Sequence, residues 1–433
     1  MLKNLLLINC FFVCTLVITD TFAQRKEARL TGNSPYSALG IGDIAPSGSI
    51  ASDAMGGTGL TFGNGIYLNT ANPAMLAKNR FVTFSTGMRG QYRTLSDGTN
   101  SQSDFGVNLS HVMMAFPLKP KWSMSLGLRP HSSVEYEARY VKPVTGTSNN
   151  VQYIYKGRGG FSKATLGTGH LIGKSLYIGV EGAYYFGNIS RDTTSRLLLN
   201  DGEDYYLRYT DRVNAKGVGL KGGFAWQQKL AEKWYLNVGG TYEVQSKLKA
   251  NQLRSLTTLI EGQNGPQILK KPDTLGIANG NMILPSQYSL GISLESPLKW
   301  IFALEYSKQD WKQYRNFQGV AEPSLTASER FAAGIEFLPK VTSTAYFDQV
   351  FYRVGFQQVK TPYLINSTQV IDRSISFGLS TPLGFRNLSY IDFGVALGNR
   401  GVAGNGLVKE NYVKLSLGFS LIDTRWFLKS KID

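Results

Sequence analysis

The feature that most constrains this chain is a period of two in its hydropathy, which runs from about residue 80 towards the C-terminus. In VKLSLGFSL, Val413, Leu415, Leu417, Phe419 and Leu421 fall on one face, and Lys414, Ser416, Gly418 and Ser420 on the other. In SYIDFGVALG, Ile391, Phe393, Val395 and Leu397 oppose Asp392, Gly394, Ala396 and Gly398. In SISFGLS, Ile375, Phe377 and Leu379 oppose Ser374, Ser376, Gly378 and Ser380. FVTFSTGMRGQYR sets Val82, Phe84, Met88 and Tyr92 against Ser85, Arg89, Gln91 and Arg93. Successive strand residues point to opposite faces, so each segment reads as a strand with one greasy and one wet side. A soluble sandwich gives the same alternation with its wet face outside.

The connections separate the two cases. Short turns near 117–121, 172–174, 228–233, 296–299, 339–345 and 382–387 alternate with longer polar stretches at 95–104, 141–150, 190–203, 250–282, 311–325, 361–368 and 399–408. Outer-membrane barrels show this rhythm, with short turns on the periplasmic side and long loops outside. No later segment reaches about eighteen consecutive apolar residues, the length of a membrane helix. A chain that spans without helices must close into a barrel, because lipid offers no partner to an open strand edge. The expected fold is therefore all-β: a transmembrane antiparallel β-barrel of about 14 strands, an even number as in bacterial single-chain barrels.

The first residues read as a secretory leader. Lys3 precedes an apolar core from Leu5 to Ile18, and Thr21-Phe22-Ala23 forms a small-x-Ala cleavage site, so 1–23 is an expected signal peptide cut after Ala23. Both cysteines, Cys10 and Cys14, lie in this stretch. The expected mature chain then has no disulfide scaffold, thiol nucleophile or Cys-ligated zinc. The destination is the outer membrane of a Gram-negative cell.

Lys121-Trp122, Lys233-Trp234 and Lys299-Trp300 each follow a short turn and open a strand. This placement puts Trp122, Trp234 and Trp300 at one membrane interface, with lysine reaching water; Trp426-Phe427 extends the girdle. The candidate inward-facing charges are Arg89, Arg93, Glu243, Glu295, Glu305, Glu336, Arg353, Arg373, Asp392 and Lys414. On a lipid face near the midplane an Arg or Lys costs about 2–4 kcal/mol, a cost the lumen removes. These charges either pair across the lumen and hold a plug or line a substrate path. The 46 Lys and Arg exceed the 30 Asp and Glu, for a net charge of +16. The basic residues are scattered rather than blocked, which argues against nucleic acid and for attraction to anionic outer-leaflet lipids and sugars.

Residues 24–79 do not alternate. They are rich in Gly, Ser, Ala and Asn, a composition suited to tight turns and close backbone packing. The segment is about the size needed to fill a barrel of this diameter, so the expected organisation is a hatch or plug at 24–79 and a barrel at 80–433. Its motifs, NSPYSALGIGD (Asn33 to Asp43), MGGTGL (Met55 to Leu60) and NPA (Asn72-Pro73-Ala74), resemble the N-terminal region of FadL-type outer-membrane proteins. The closing KLSLGFSLIDTRWFLKSKID resembles the end of relatives of that group. The resemblance implies a 14-stranded barrel with an N-terminal hatch, and uptake of hydrophobic molecules such as long-chain fatty acids. Ligand there enters an apolar outer pocket, passes along the hatch and leaves sideways through the wall. Gly56, Gly57, Gly59, Asn72, Pro73 and Ala74 would lie in the hatch along that path. The sequence departs from the family in its charged inward face and its polar start, Gln24 to Gly32.

Catalytic signatures are missing. His111, His131 and His170 lie on separate strands without metal-ligand spacing, GxSxG is absent, and no Gly-x-Gly run opens a βαβ unit. The sequence points to no enzyme, no cofactor and no metal. Two functions follow: passive passage of a hydrophobic small molecule past the hatch, or a non-transporting accessory subunit of an outer-membrane secretion or assembly complex. The stretch 250–282 is the longest expected loop and the place for partner contacts. A transporter predicts a continuous apolar path. An accessory subunit predicts a sealed lumen and an exposed apolar or aromatic patch off the lipid belt.

Overall fold

The computed structural model describes residues 34–424 apart from 66, 148, 199–204, 263–264, 385–387 and 405. The expected signal peptide, the start of the N-terminal segment and Trp426-Phe427 lie outside the described residues. Fourteen antiparallel strands close into a barrel. They are β1 (Val82–Ser96), β2 (Ser101–Lys119), β3 (Trp122–Pro130 continued by Ser132–Pro143), β4 (Asn150–Ile172), β5 (Leu176–Leu198), β6 (Tyr205–Ala231) and β7 (Trp234–Glu243 continued by Ser246–Gly262). The circuit continues with β8 (Asp273–Leu284 continued by Gln287–Ser296), β9 (Trp300–Asp310), β10 (Ala327–Phe337), β11 (Phe351–Ile365), β12 (Thr368–Pro382), β13 (Tyr390–Arg400) and β14 (Lys409–Asp423). β14 pairs with β1 from Lys409↔Ser96 to Asp423↔Val82, which removes the free sheet edge.

The alternation sets the register. On β14, Leu415, Leu417, Phe419 and Leu421 are exposed, whereas Ser416, Gly418 and Ser420 are buried. A slip of one residue would turn the greasy set inward, so pairing is strongly specified. Two stretches expected as loops are largely strand. β5 runs to Leu198, and the outer segments of β7 and β8 pair from Ser246↔Leu284 to Leu256↔Asp273, through most of 250–282. Beyond the apolar belt these strands turn polar residues such as Lys249, Asn251 and Asn279 outward while Leu248, Ala250 and Met282 face in, so the greasy outer face disappears while the hydrogen-bond ladder continues.

Residues 34–79 pack against the inward faces of the strands. Short turns of helix at Pro35–Ala38, Ile50–Asp53 and Pro73–Lys78 are joined by irregular backbone. Ser49 and Asn72 cap two of them by accepting from Ser52 N and Ala74 N. Gly56 and Gly57 both have positive φ (68° and 80°), a pair of conformations that a side chain would strain. The wall admits this backbone through inward-facing glycines. A Cβ at Gly355 would lie 2.0 Å from Gly56 N, and one at Gly223 would lie 2.1 Å from Asn72 Oδ1.

One sector of the wall is bent. β3 breaks after Pro130, and beside it β4 passes through Gly159 and Gly160 at φ 105° and 146°. β2 pairs with β3 only from Val112↔Leu128 to Lys119↔Trp122. Beyond His131, β3 keeps β4 on one side and takes Asp43–Ile44 on the other, through Asp43↔Ser133 and Ile44↔Ser132. The outer half of β2 is therefore laddered to β1 but not to β3, which leaves a gap in the wall.

Candidate functional site

The interior has three layers. At the loop end an apolar cluster joins Tyr36 and Ile41 of the N-terminal segment to inward side chains such as Val134, Phe161 and Leu248. Trp311, Tyr314 and Leu325, from the connection between β9 and β10, complete it. Trp311 is 3% exposed and Tyr314 2%. At the turn end smaller clusters unite Ala51, Met55, Phe62 and Tyr67 with Ile301 and Ala303, and Ala74, Met75 and Ala77 with Tyr177 and Ala225. Between them lies a cavity of about 410 Å³ whose lining includes Asp53, Arg89, Arg129, Lys221, Glu305, Arg330, Arg400 and Lys414.

Charges withdrawn from water are expensive unless paired, and the inward faces supply the pairs. Arg89 Nε meets Asp53 Oδ2 at 2.5 Å. Arg93 lies 3.6 Å from Glu410. Glu243 accepts from Tyr185 Oη at 2.5 Å and lies 3.6 Å from Lys163 Nζ. Glu295 takes Lys78 Nζ at 3.3 Å and Asn237 Nδ2 at 2.9 Å. Glu305 accepts the backbone N–H groups of Gly59 and Leu60, each at 2.6 Å. Arg353 pairs with Glu336 at 2.7 Å and also contacts Ser380, which donates to Asp392. Lys414 lines the cavity, 5.6 Å from the centre of the Tyr412 ring. Arg373 is a correction: it is exposed on the outer face beside Gln358, because it shares strand parity with Ile375 and Phe377.

The N-terminal positions lie in the same network. Asn72 is fully buried and donates to Leu60 O and Phe224 O at 2.7 and 3.1 Å. Pro73 and Ala74 follow it in a turn against β4 and β5, where Cβ atoms at Gly169 and Gly179 would lie 2.4 Å from Pro73 O and Ala74 N. Gly56 donates to Ser376 Oγ at 2.9 Å, and its carbonyl, next to Gly57, accepts from Arg330 at 2.8 Å.

Several interior residues escaped the sequence reading. Arg129 donates to Ser47 O at 2.7 Å and pairs with Glu181 at 3.0 Å, and Lys221 donates to Ala71 O at 2.5 Å. Arg400 gathers Asp43 at 2.9 Å, Asp372 at 3.3 Å and Glu410 at 3.7 Å. Parity was the available signal for the strand members: Lys221 opposes Leu220, and Glu181 opposes Val180.

The three strand-opening tryptophans share the turn end of the barrel. Trp300 stacks on Phe302 and Phe337 at 5.6 and 4.1 Å between ring centres, and Trp234 stacks on Phe302 at 6.4 Å. Trp122 donates to Thr168 Oγ1 at 2.7 Å. His111 sits between Ser85 and Ser110 hydroxyls, both at 2.9 Å, so each ring nitrogen meets a hydroxyl and neither meets an orienting carboxylate.

The cavity reaches the gap between β2 and β3. Gly106, Asn108 and Leu109 of β2, Pro130, His131 and Ser133 at the β3 break, and Ile44 to Pro46 all line it. Ile44 and Leu109 are 37% and 41% exposed.

Comparison with solved structures places the barrel in the FadL type of fold. The Pseudomonas putida toluene transporter TodX aligns with a TM-score of 0.55 at 14% identity, over 88% of this chain and 99% of that one. The Ralstonia pickettii toluene transporter TbuX gives 0.53 at 15%, over 89% and 99%. A Pseudomonas aeruginosa FadL homologue gives 0.55 at 12%, over 88% and 99%. At these identities the likeness is one of fold, and the names describe two toluene transporters and a FadL homologue rather than enzymes. A family description, BamG, matches residues 1–433. No curated protein matches the chain.

Proposed function

The chain belongs to the BamG family, and we propose that it is a plugged outer-membrane barrel acting as a non-transporting accessory subunit of an envelope assembly or secretion complex. In this reading residues 24–79 are a permanent plug, 80–433 are the barrel, and 1–23 are removed on export. The observation that carries it is the filled mouth. The place where an apolar ligand would enter is occupied by the chain's own Tyr36, Ile41, Trp311 and Tyr314, all buried. Below them the plug is tied to the wall by charge-assisted bonds such as Glu305 to Gly59 and Leu60. The family name also hints at assembly.

A second reading is favoured by the wall gap. Small apolar molecules would pass between the cavity and the outer leaflet past Leu109 and Ile44, leaving the plug in place. Toluene transport belongs to TodX and TbuX by name and supports this reading by fold alone. The long strands around 250–282 would serve as the partner face in the first reading.

The test is native mass spectrometry and lipid extraction of the protein purified from its own membrane in mild detergent. A stoichiometric set of envelope proteins with no apolar ligand is the expected result. A fatty acid or hydrocarbon bound near one-to-one, with no protein partner, would overturn the accessory role in favour of transport.

A further inference from the structure

The outer face of the barrel carries a basic and amide-rich patch at one level. Lys216 of β6 pairs in register with Lys249 of β7, which pairs with Asn281 of β8. Lys247 is one outward position closer to the apolar belt, opposite Ile283. In the next row out, Asn188, Asn214, Asn251 and Asn279 stand in register across β5, β6, β7 and β8. All of the lysines and asparagines in these two rows are exposed.

Height along the wall sets the environment. Trp226, at the turn end of β6, is ten positions from Lys216, about 33 Å along a strand at 3.3 Å per residue. With the strand tilt of about 35–45° usual in such barrels, this is roughly 25 Å along the membrane normal, the height of the apolar band. The exposed residues between them on the outer face are Phe224, Leu220 and Val218. Lys216 and Lys249 therefore stand at the outer-leaflet headgroup level, and the asparagine row stands just above it.

The lysines of this patch carry no balancing carboxylate among the described residues. Other cations near the loops do find carboxylates: Lys308 and Lys360 share Glu329, at 3.3 and 3.1 Å, and Arg158 meets Asp192 at 2.9 Å. Among the described residues Lys216, Lys247 and Lys249 form no ion pair. Like charges directly opposite on paired strands are destabilising, so the Lys216–Lys249 pair calls for an anion from outside the chain. We propose that this face binds a phosphorylated glycolipid of the outer leaflet. The lysines would take its phosphates, the asparagine row would take sugar hydroxyls and amides, and the belt below would take its acyl chains.

The experiment uses the full-length protein in phosphatidylcholine nanodiscs, titrated with bisphosphorylated lipid A, its dephosphorylated form, phosphatidylglycerol and inorganic phosphate. Wild type should prefer lipid A, with affinity falling steeply with salt. The triple variant Lys216→Gln/Lys247→Gln/Lys249→Gln should bind about a hundredfold more weakly, at about fivefold per lysine near a charged surface. A variant of another exposed pair, Lys270→Gln/Lys271→Gln, should bind as wild type. Retained affinity in the triple variant would overturn the proposal. So would equal binding of the dephosphorylated lipid, of phosphatidylglycerol or of free phosphate. Because the lysines are exposed, heat-modified gel mobility should be unchanged, which separates lost binding from lost folding.

Discussion

Replacing Glu305 with alanine should loosen the N-terminal segment locally without unfolding the barrel. The Glu305 side chain is nearly fully buried, and one of its oxygens accepts two backbone N–H groups, from Gly59 and Leu60. Hydrogen bonds to a charged group contribute about 1.5–3 kcal/mol each, so losing both costs about 3–6 kcal/mol. At 1.4 kcal/mol per factor of ten, local opening around residues 56–62 should become about two to four decades more frequent. Glu305→Gln keeps an oxygen acceptor but not the charge, and charge-assisted bonds are about twice as strong as neutral ones. That variant should show about half the effect on the logarithmic scale. Hydrogen–deuterium exchange with peptide-level mass spectrometry in nanodiscs reads this directly, with β13 and β14 peptides as the internal standard. Exchange at Gly59 and Leu60 unchanged in Glu305→Ala would refute the claim that this carboxylate pins the segment.

Three other perturbations test separate parts of the fold. Arg353→Met strands the buried Glu336 carboxylate, and breaking a buried pair from one side costs about 3–5 kcal/mol; the denaturation midpoint should fall, and adding Glu336→Gln should restore most of it. Gly355→Val places a side chain where Gly56 N lies 2.0 Å from a Cβ; limited proteolysis should then cut between residues 45 and 70 in a barrel that still migrates as folded. Trp300→Ala removes two ring stacks, worth about 0.5–1.5 kcal/mol each beyond buried area; the urea midpoint should drop with an unchanged slope.

The barrel was legible because lipid outside and a polar interior impose opposite demands on alternate residues, and that contrast is written into strands such as β13 and β14. The signal fails wherever the contrast fails. Above the belt, Asn214, Asn251 and Asn279 face water on paired strands, so 250–282 reads as loop although it is ladder. The break in β3 depends on Gly159 and Gly160 of the neighbouring strand, a relation that no local window contains. Arg373 reads as inward by its charge, but its parity with Ile375 turns it outward. The pairing of Arg400 with Asp43 joins residues 357 positions apart and has no sequence signature.

The two readings of function differ in what must move. Among the hydrogen bonds that fasten residues 47–71 to the wall are eight: Glu305 to Gly59 and Leu60, Arg330 to Gly56, Lys221 to Ala71, Arg129 to Ser47 and Thr70, and Ser376 with Gly56 and Ala54. Six of these involve a charged side chain and contribute about 1.5–3 kcal/mol each, and the two to Ser376 about 1 kcal/mol each, so swinging this segment aside costs about 11–20 kcal/mol before any apolar contact is counted. That is comparable with the whole stability of an ordinary domain, about 5–15 kcal/mol. Passage by displacement of the segment would thus approach unfolding in cost, whereas passage through the gap between β2 and β3 leaves every one of these bonds intact. Solute flux that survives in a variant with residues 47–71 cross-linked to the wall must therefore use the gap. Flux abolished by that cross-link would mean that the segment moves despite its fastenings, and that the bonds named here are weaker than their geometry implies.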